Sequence, residues 1–322
     1  MSLARGIKAI IGMYDETTYA TDPSAPDATK LYFTKFNPGY KQELIDDPTI
    51  TGLRTNAKPA FGNIDLSPSL ESVIAPEWIG KPLKHLFGAV ADSGAGPYSH
   101  LFTIGDLPTS FMLERDYGSA ISGSGRYEKL NGCRIEKATF KFPVKGWCTM
   151  ALAMKGAKIV QAASPLDATY TDLGHSGFTS FSGTIEEDGA PIAVVAEAEM
   201  TLANDLDPDV YVIGGLGVRR SLSEGFALLG GSITALFESQ ALLNKAIANT
   251  VTSLKITLSR GDGLGSAGNE SIVWLSNQLL LEPNVPPVEG PRGLRQTFPI
   301  KPYRLVADLG LQLTLNNAIA TV

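Results

Sequence analysis

The sequence predicts a mainly β protein: an antiparallel β-sandwich or barrel with short flanking helices. Three observations carry this reading. The 322-residue chain contains 33 Gly and 20 Pro, with 43% apolar and 19% charged residues, a turn-rich balance that excludes disorder and a coiled coil. Its clearest segments alternate with period 2, as where Ile64 and Leu66 interleave with Asn63, Asp65 and Ser67. Finally, Phe61-Gly62-Asn63-Ile64-Asp65-Leu66-Ser67 is echoed by Leu229-Gly230-Gly231-Ser232-Ile233-Thr234-Ala235, each a glycine-entered strand leading to a short helix. The echo predicts two copies of one β unit, divided as 1–165 and 166–322.

From the start of the chain, residues 14–50 carry Pro and Asx clusters at Pro23, Pro26, Pro38 and Pro48, which dictate turns and read as an arm rather than a core. A helix is expected near Pro82, where Leu83, Leu86 and Phe87 share one face and Gly88 ends the segment. Strands follow at 99–104 and 110–115, then a mobile Gly/Ser loop from Ser119 to Gly125. The strongest hairpin spans Cys133 to Lys155 around a turn at Pro143–Gly146. Phe140, Phe142 and Trp147 are assigned to one of its faces, and Ile135, Met150, Leu152 and Met154 to the other. A hairpin apolar on both faces must be covered twice, by its own domain and by either a neighbouring subunit or a second layer of the same chain.

The second half repeats this programme, with strands expected at 177–186, 192–202, 211–213 and near Ile233. A helix then starts from a Ser239 N-cap, with Leu242, Leu243, Ala246 and Ile247 on one face. Strands at 252–259 and 271–281, a Pro-rich link at 283–291, and strands at 298–303 and 309–315 complete the chain.

Chemistry is scarce. His85, His100 and His175 are far apart and lack metal-ligand spacing, so structural roles are expected and neither a metal nor a cofactor is assigned. Gly174-His175-Ser176-Gly177 lacks the final glycine of a nucleophile elbow, which is Phe178 here. Gly263-Leu264-Gly265-Ser266-Ala267-Gly268 matches a dinucleotide fingerprint in letters, but a strand-like segment follows where a helix must open, so a hairpin loop is expected. Glu186-Glu187-Asp188 and the group Asp205, Asp207 and Asp209 read as solvated turns, the second without the ligand periodicity of a calcium loop. Arg219-Arg220 reads as a surface or interface ion-pair donor rather than a phosphate clamp.

A net charge of −6 argues against grip on nucleic acid through a basic surface. No apolar run approaches the length of a membrane span, and the opening segment is too short for a signal-peptide core. Cys133 and Cys148, placed opposite residues near 156 and 141 in the hairpin, are too far apart for a disulfide and are expected to stay reduced.

Several stretches together resemble the larger tail tube proteins of tailed bacteriophages. They are Met13-Tyr14-Asp15-Glu16-Thr17-Thr18-Tyr19, the Gly62 strand, Gly80-Lys81-Pro82-Leu83-Lys84-His85-Leu86-Phe87-Gly88, Tyr98-Ser99-His100-Leu101-Phe102-Thr103, Tyr127-Glu128-Lys129-Leu130-Asn131-Gly132-Cys133-Arg134-Ile135, and Gly230-Gly231-Ser232-Ile233-Thr234-Ala235-Leu236-Phe237-Glu238. The resemblance spans most of the chain. It implies a structural virion protein with no enzymatic activity, made in the host cytoplasm and residing in the tail. Rings of three or six chains would stack into a tube that DNA passes through without specific binding or membrane insertion. Tape measure, terminator and baseplate proteins are the implied partners. Ring formation is expected through the Cys133–Lys155 hairpin, with Ile135, Phe140, Phe142, Trp147, Met150 and Leu152 at the subunit interface. The N-terminal arm and the Ser119–Gly125 loop are expected to join stacked rings. Competing readings are a tail terminator or baseplate ring and a carbohydrate-binding or hydrolytic β-sandwich. The last would expose aromatic platforms, whereas Trp78, Trp147 and Trp274 lie in patterns that predict burial.

Overall fold

A computed structural model of the chain describes residues 3, 5–121, 123, 125–192, 194–288, 293–305 and 310–322. Parts of four expected segments lie outside the described residues: Ser122 and Ser124 of the Gly/Ser loop, Ala193, the end of the Pro-rich link at Glu289, Gly290 and Pro291, and Leu309.

Period-2 burial dominates the chain. The strands are β1 (Ile10–Glu16), β2 (Thr29–Leu31), β3 (Lys35–Asn37), β4 (Tyr40–Ile45), β5 (Ala60–Leu66), β6 (Ser69–Val73), β7 (Gly88–Ser93), β8 (Tyr98–Ile104), β9 (Ser110–Asp116), β10 (Tyr127–Phe142), β11 (Thr149–Lys155) and β12 (Lys158–Ala162). They continue with β13 (Gly183–Glu187), β14 (Ala190–Pro191), β15 (Val195–Ala203), β16 (Leu228–Leu236), β17 (Thr252–Ser259), β18 (Ser271–Leu281), β19 (Arg295–Pro302) and β20 (Gln312–Asn317). Two helices interrupt them, α1 (Gly80–Phe87) and α2 (Ala241–Ile247). Pro82 sits in the first turn of α1, where its missing N–H is not needed, and Gly88 ends the helix at φ 89°. The expected Ser239 cap is one step early: Gln240 holds the N-cap position of α2, while the Ser239 hydroxyl accepts the Ala241 N–H at 3.4 Å.

The long strand β10 organises the fold. Its first half pairs with β9 and β12, continuing to β1 and β2, while its second half pairs with β11 and β15. Gly132, at φ 68°, lies between the two halves. A Cβ there would come within 2.8 Å of Ala157 Cβ and 3.0 Å of Ala20 Cβ, so glycine permits the strand to pass from one layer to the other.

The larger layer runs β3-β6-β11-β10-β15-β16-β19-β18, and β18 then carries two arms, β17-β13-β14 and β20-β8-β7. All these ladders are antiparallel. The sheet curls until Trp274 of β18 meets Phe140 and Phe142 of β10 edge-on, at centroid distances of 5.4 and 5.0 Å. Among the described residues no ladder joins β7 or β14 back to β3, so the expected mainly β, antiparallel architecture is present as a large sheet without closure into a barrel; Trp78, Leu83, Leu86 and Phe87 of the α1 region are buried in the same core. Hairpin β4–β5 stands outside as a separate two-stranded sheet.

Three expectations change. The supposed arm is partly core: β1 lies between β2 and β9, and Met13, Tyr14 and Leu31 are buried. The residues of the echo occupy different settings, since the Gly62 strand belongs to the outlying β4–β5 hairpin and the Gly231 strand sits between β15 and β19. What recurs is an order of elements, strand–helix–hairpin, in β6-α1-β7-β8 and β16-α2-β17-β18. The layer is also continuous across residue 165, through the β10–β15 and β8–β20 ladders.

The third change concerns the Cys133–Lys155 hairpin, which forms as β10–β11. A register shift between Ile135 and Lys137 puts Ile135, Phe140, Phe142, Met150, Leu152 and Met154 on one face, all buried in this chain's own core. The opposite face carries Lys137, Thr139, Lys141, Thr149, Ala151 and Ala153. The hairpin is apolar on one face only, and the bulge at Glu136 is why simple alternation misassigned Ile135. Cys148 falls level with Phe142 rather than residue 141, and both cysteines are buried free thiols.

Candidate functional site

Each histidine singled out in the sequence has a structural partner. His85 is buried with Nε2 2.8 Å from Asp15 Oδ1. His100, fully buried, sets Nδ1 2.7 Å from Asp92 and Nε2 2.9 Å from the Ile319 carbonyl. His175 accepts the Trp78 indole N–H at 3.2 Å and stacks on Tyr32. The glycine-rich segment is the β17–β18 hairpin loop, where Gly263 N–H donates to the Arg260 carbonyl and Asn269 N–H to that of Ser266. Glu187 and Asp188 are not simply solvated: both bind Lys245 and the Thr252 hydroxyl. Among the described residues no cluster of His, Cys, Asp and Glu is arranged to hold a metal.

Burial would raise the half-exposed Asp15 carboxyl, but His85 and the Lys81 ammonium outweigh it and bring the pKa down to about 2. The native carboxyl therefore binds its proton less tightly than in the unfolded chain, so its stabilisation is present above the ordinary carboxylate range and is lost as pH falls through about 2. Asp15→Asn is expected to flatten the fall of the urea midpoint below pH ~4. An acid limb as steep as that of the wild type would show that Asp15 contributes nothing to it.

Arg219 corrects the sequence reading most clearly. Its side chain is only 3% exposed. Nε donates to the Pro208 carbonyl at 2.7 Å, Nη1 to the carbonyls of Gly156 and Leu66 at 2.8 and 3.2 Å, and Nη2 to Asp65 at 2.5 Å. It is a buried staple between the 204–226 loop, the base of β5 and the β11–β12 turn. Arg220 beside it is exposed.

What remains unpartnered is surface built for contact. The β4–β5 hairpin exposes Leu44, Ile45 and Phe61, and the loop at its tip exposes Leu53 and Ile50, the last to 97%. The outer edge of β5 is flanked by the 211–217 loop, where Gly217 accepts the Ile64 N–H at 2.8 Å and Ile213 and Leu216 stand exposed. A second apolar area surrounds the β10–β11 turn, where Val144, Trp147 and Phe181 are exposed beside a cavity of about 370 Å³ lined by Phe142, Ile185, Ile192, Val195 and Leu258. Trp147 was expected to be buried but is 54% exposed; of the six residues assigned to a subunit interface it alone is open to another chain, the other five lying in the core. Exposed apolar area on this scale marks a protein that binds other protein.

The larger layer supplies a different surface. Its outer face bears small polar and neutral side chains, among them Thr139, Ala151, Ala153, Thr201, Ser232 and Thr234, interspersed with Lys137, Lys141, Glu71, Glu197 and Glu199. Lys141 and Glu199 lie 3.5 Å apart across adjacent strands. A family model described as phage tail tube protein matches residues 6–302 of this chain. The chain belongs to that family. No curated protein gives a significant match. As a tail tube family member it is a structural, non-enzymatic component of the virion tail, and its three histidines are all engaged in holding the fold. Self-association is the family's hallmark, and the tail tube chain accordingly carries its exposed apolar groups on projecting loops and at the β10–β11 turn.

The sequence concealed the β4–β5 hairpin because its strands flank a loop dense in Asp, Thr and Pro, and the first strand merged with the supposed arm. The signal was present in Tyr40–Ile45, a turn-rich span, and then Ala60–Leu66, the pattern of a long-looped hairpin.

Proposed function

We propose that this chain forms rings that stack into the tail tube and that DNA leaves the capsid through the resulting channel. The observation that carries this reading is the two-sided character of the larger layer: one face packs the core, while the other is broad, hydroxyl-rich and free of exposed large apolar groups along β10, β11 and β15. Such a face suits a channel wall, because water-covered small side chains with alternating Lys and Glu give phosphate no continuous basic track to bind. The net negative charge of the chain is not concentrated on this face.

In this reading, the β10–β11 turn joins neighbouring chains through Trp147, away from the channel face, and tape measure, terminator and baseplate proteins meet the finished tube. Negative-stain microscopy of the purified protein is the test. Uniform tubes with an axial channel are expected, and a monodisperse monomer at high concentration would overturn the proposal. Because β6, β10 and β11 of the first half and β15, β16 and β19 of the second lie in one layer, each chain supplies wall from both halves. Three chains per ring are therefore expected, and end-on class averages with sixfold subunit counts would refute that stoichiometry.

A further inference from the structure

The two apolar contact areas lie at opposite ends of the same strands. Residue pairing along β11 runs in constant register from Val73–Thr149 through Ser69–Ala153 to the Leu66–Gly156 bridge, so the chain passes straight from β5 into β6. The β4–β5 hairpin consequently projects beyond the Lys155 end of β11, and the Pro143–Trp147 turn lies at the other end. One area is convex, a hairpin whose tip loop presents Ile50 and Leu53. The other is concave, the apolar cavity beside Val144.

Charged groups stand at both areas. Asp46 and Asp47 stand on the β4 side of the convex tip, with Asp47 bonded to Thr49, and exposed Arg54 and Lys58 stand on its β5 side. Exposed Lys145 stands at the rim of the cavity and has no carboxylate partner among the described residues. A projection at one end and a complementary recess at the other cannot satisfy each other within one chain of this geometry. Between copies they make a heterologous, head-to-tail contact, the kind that propagates without closing.

We propose that the β4–β5 tip of one copy, through Ile50 and Leu53, enters the cavity at the β10–β11 turn of the next copy along the tube axis, with Asp46 and Asp47 facing Lys145. The occupant is thus a second copy of this chain. The inference rests on the tube reading above and adds to it which two surfaces meet and in which direction.

Three measurements on the full chain test it. Ile50→Glu/Leu53→Glu alters only exposed side chains, so the thermal melt of the subunit should match the wild type. The concentration needed for tube formation should rise by more than about tenfold, because burial of each aliphatic side chain contributes at least that factor. Lys145→Glu should weaken assembly, as should Asp46→Lys/Asp47→Lys, and all three changes in one chain should restore it, since each junction then regains opposite charges. Finally, Ile50→Cys mixed with Val144→Cys under mild oxidation should yield a disulfide-linked dimer that neither variant forms alone.

Wild-type tubes combined with undiminished assembly of Ile50→Glu/Leu53→Glu would overturn this contact and leave the tube reading standing. A linked dimer from Ile50→Cys alone would indicate tip-to-tip packing and overturn it equally. Failure of the wild type to form tubes would instead remove the tube reading. The mixed cross-link would then decide the contact by itself, its presence supporting the head-to-tail pairing and its absence ending it.

Discussion

Replacing Arg219 with methionine is expected to destabilise the subunit by about 3 kcal/mol, near the lower end of the range for breaking a buried ion pair. Methionine preserves much of the apolar stem but removes every donor. The carbonyls of Pro208, Leu66 and Gly156 then lose a charge-assisted bond, and an unmade buried bond costs more than the average made one contributes. Asp65 is half exposed and can be resolvated, so the loss is concentrated in the carbonyls. Arg219→Lys should recover only part of it, since an ammonium cannot spread over acceptors contributed by three segments. Urea denaturation measures the difference, and limited proteolysis should show faster cleavage in the 208–218 loop. A midpoint within ~0.5 kcal/mol of wild type would mean that the staple is redundant.

Trp274→Ala is expected to cost about 3–5 kcal/mol, as for other large aromatic truncations in a packed core. Trp274 meets both Phe140 and Phe142 across the interior and is 1% exposed, so alanine leaves a void at the point where the curled layer contacts itself. Trp274→Phe should be far milder: the ring contacts persist in part, and the indole N–H has no protein acceptor among the described residues to lose. Differential scanning calorimetry distinguishes the two. Similar losses for alanine and phenylalanine would show that the indole's full width, rather than aromatic contact as such, holds the layers together.

The strands that the sequence disclosed are those with clean alternation. Residues 252–259 and 271–281 appear as β17 and β18 at the expected limits, and α1 is bracketed by Pro82 and Gly88 as anticipated. Pro and Asx density misled at residues 14–50, because short strands such as β2 can be core when longer neighbours cover them. Tyr211–Ile213 has strand composition, yet it forms a loop tied to Ile64, far away in sequence, whose carbonyl accepts the Tyr211 hydroxyl and whose N–H donates to Gly217. The candidate contact surface was half legible. The β10–β11 hairpin itself could be read, but its faces could not, since one bulged residue reverses the alternation beyond it. That the sheet curls without closing was beyond reach altogether, because pairing between distant strands leaves no local trace.

The ladder between β8 and β20 has a consequence for how the molecule comes into being. Residues 98–103 find their outer partner only in residues 312–317, so the β7–β8 hairpin waits for nearly the whole chain before it is stapled to β18. Pairings of such separation are slow to form and leave strand edges open meanwhile. Synthesis thus imposes an order of events, in which the cavity-bearing arm is built before the layer is locked at β20, and premature polymerisation of half-made chains is the hazard this topology must outrun.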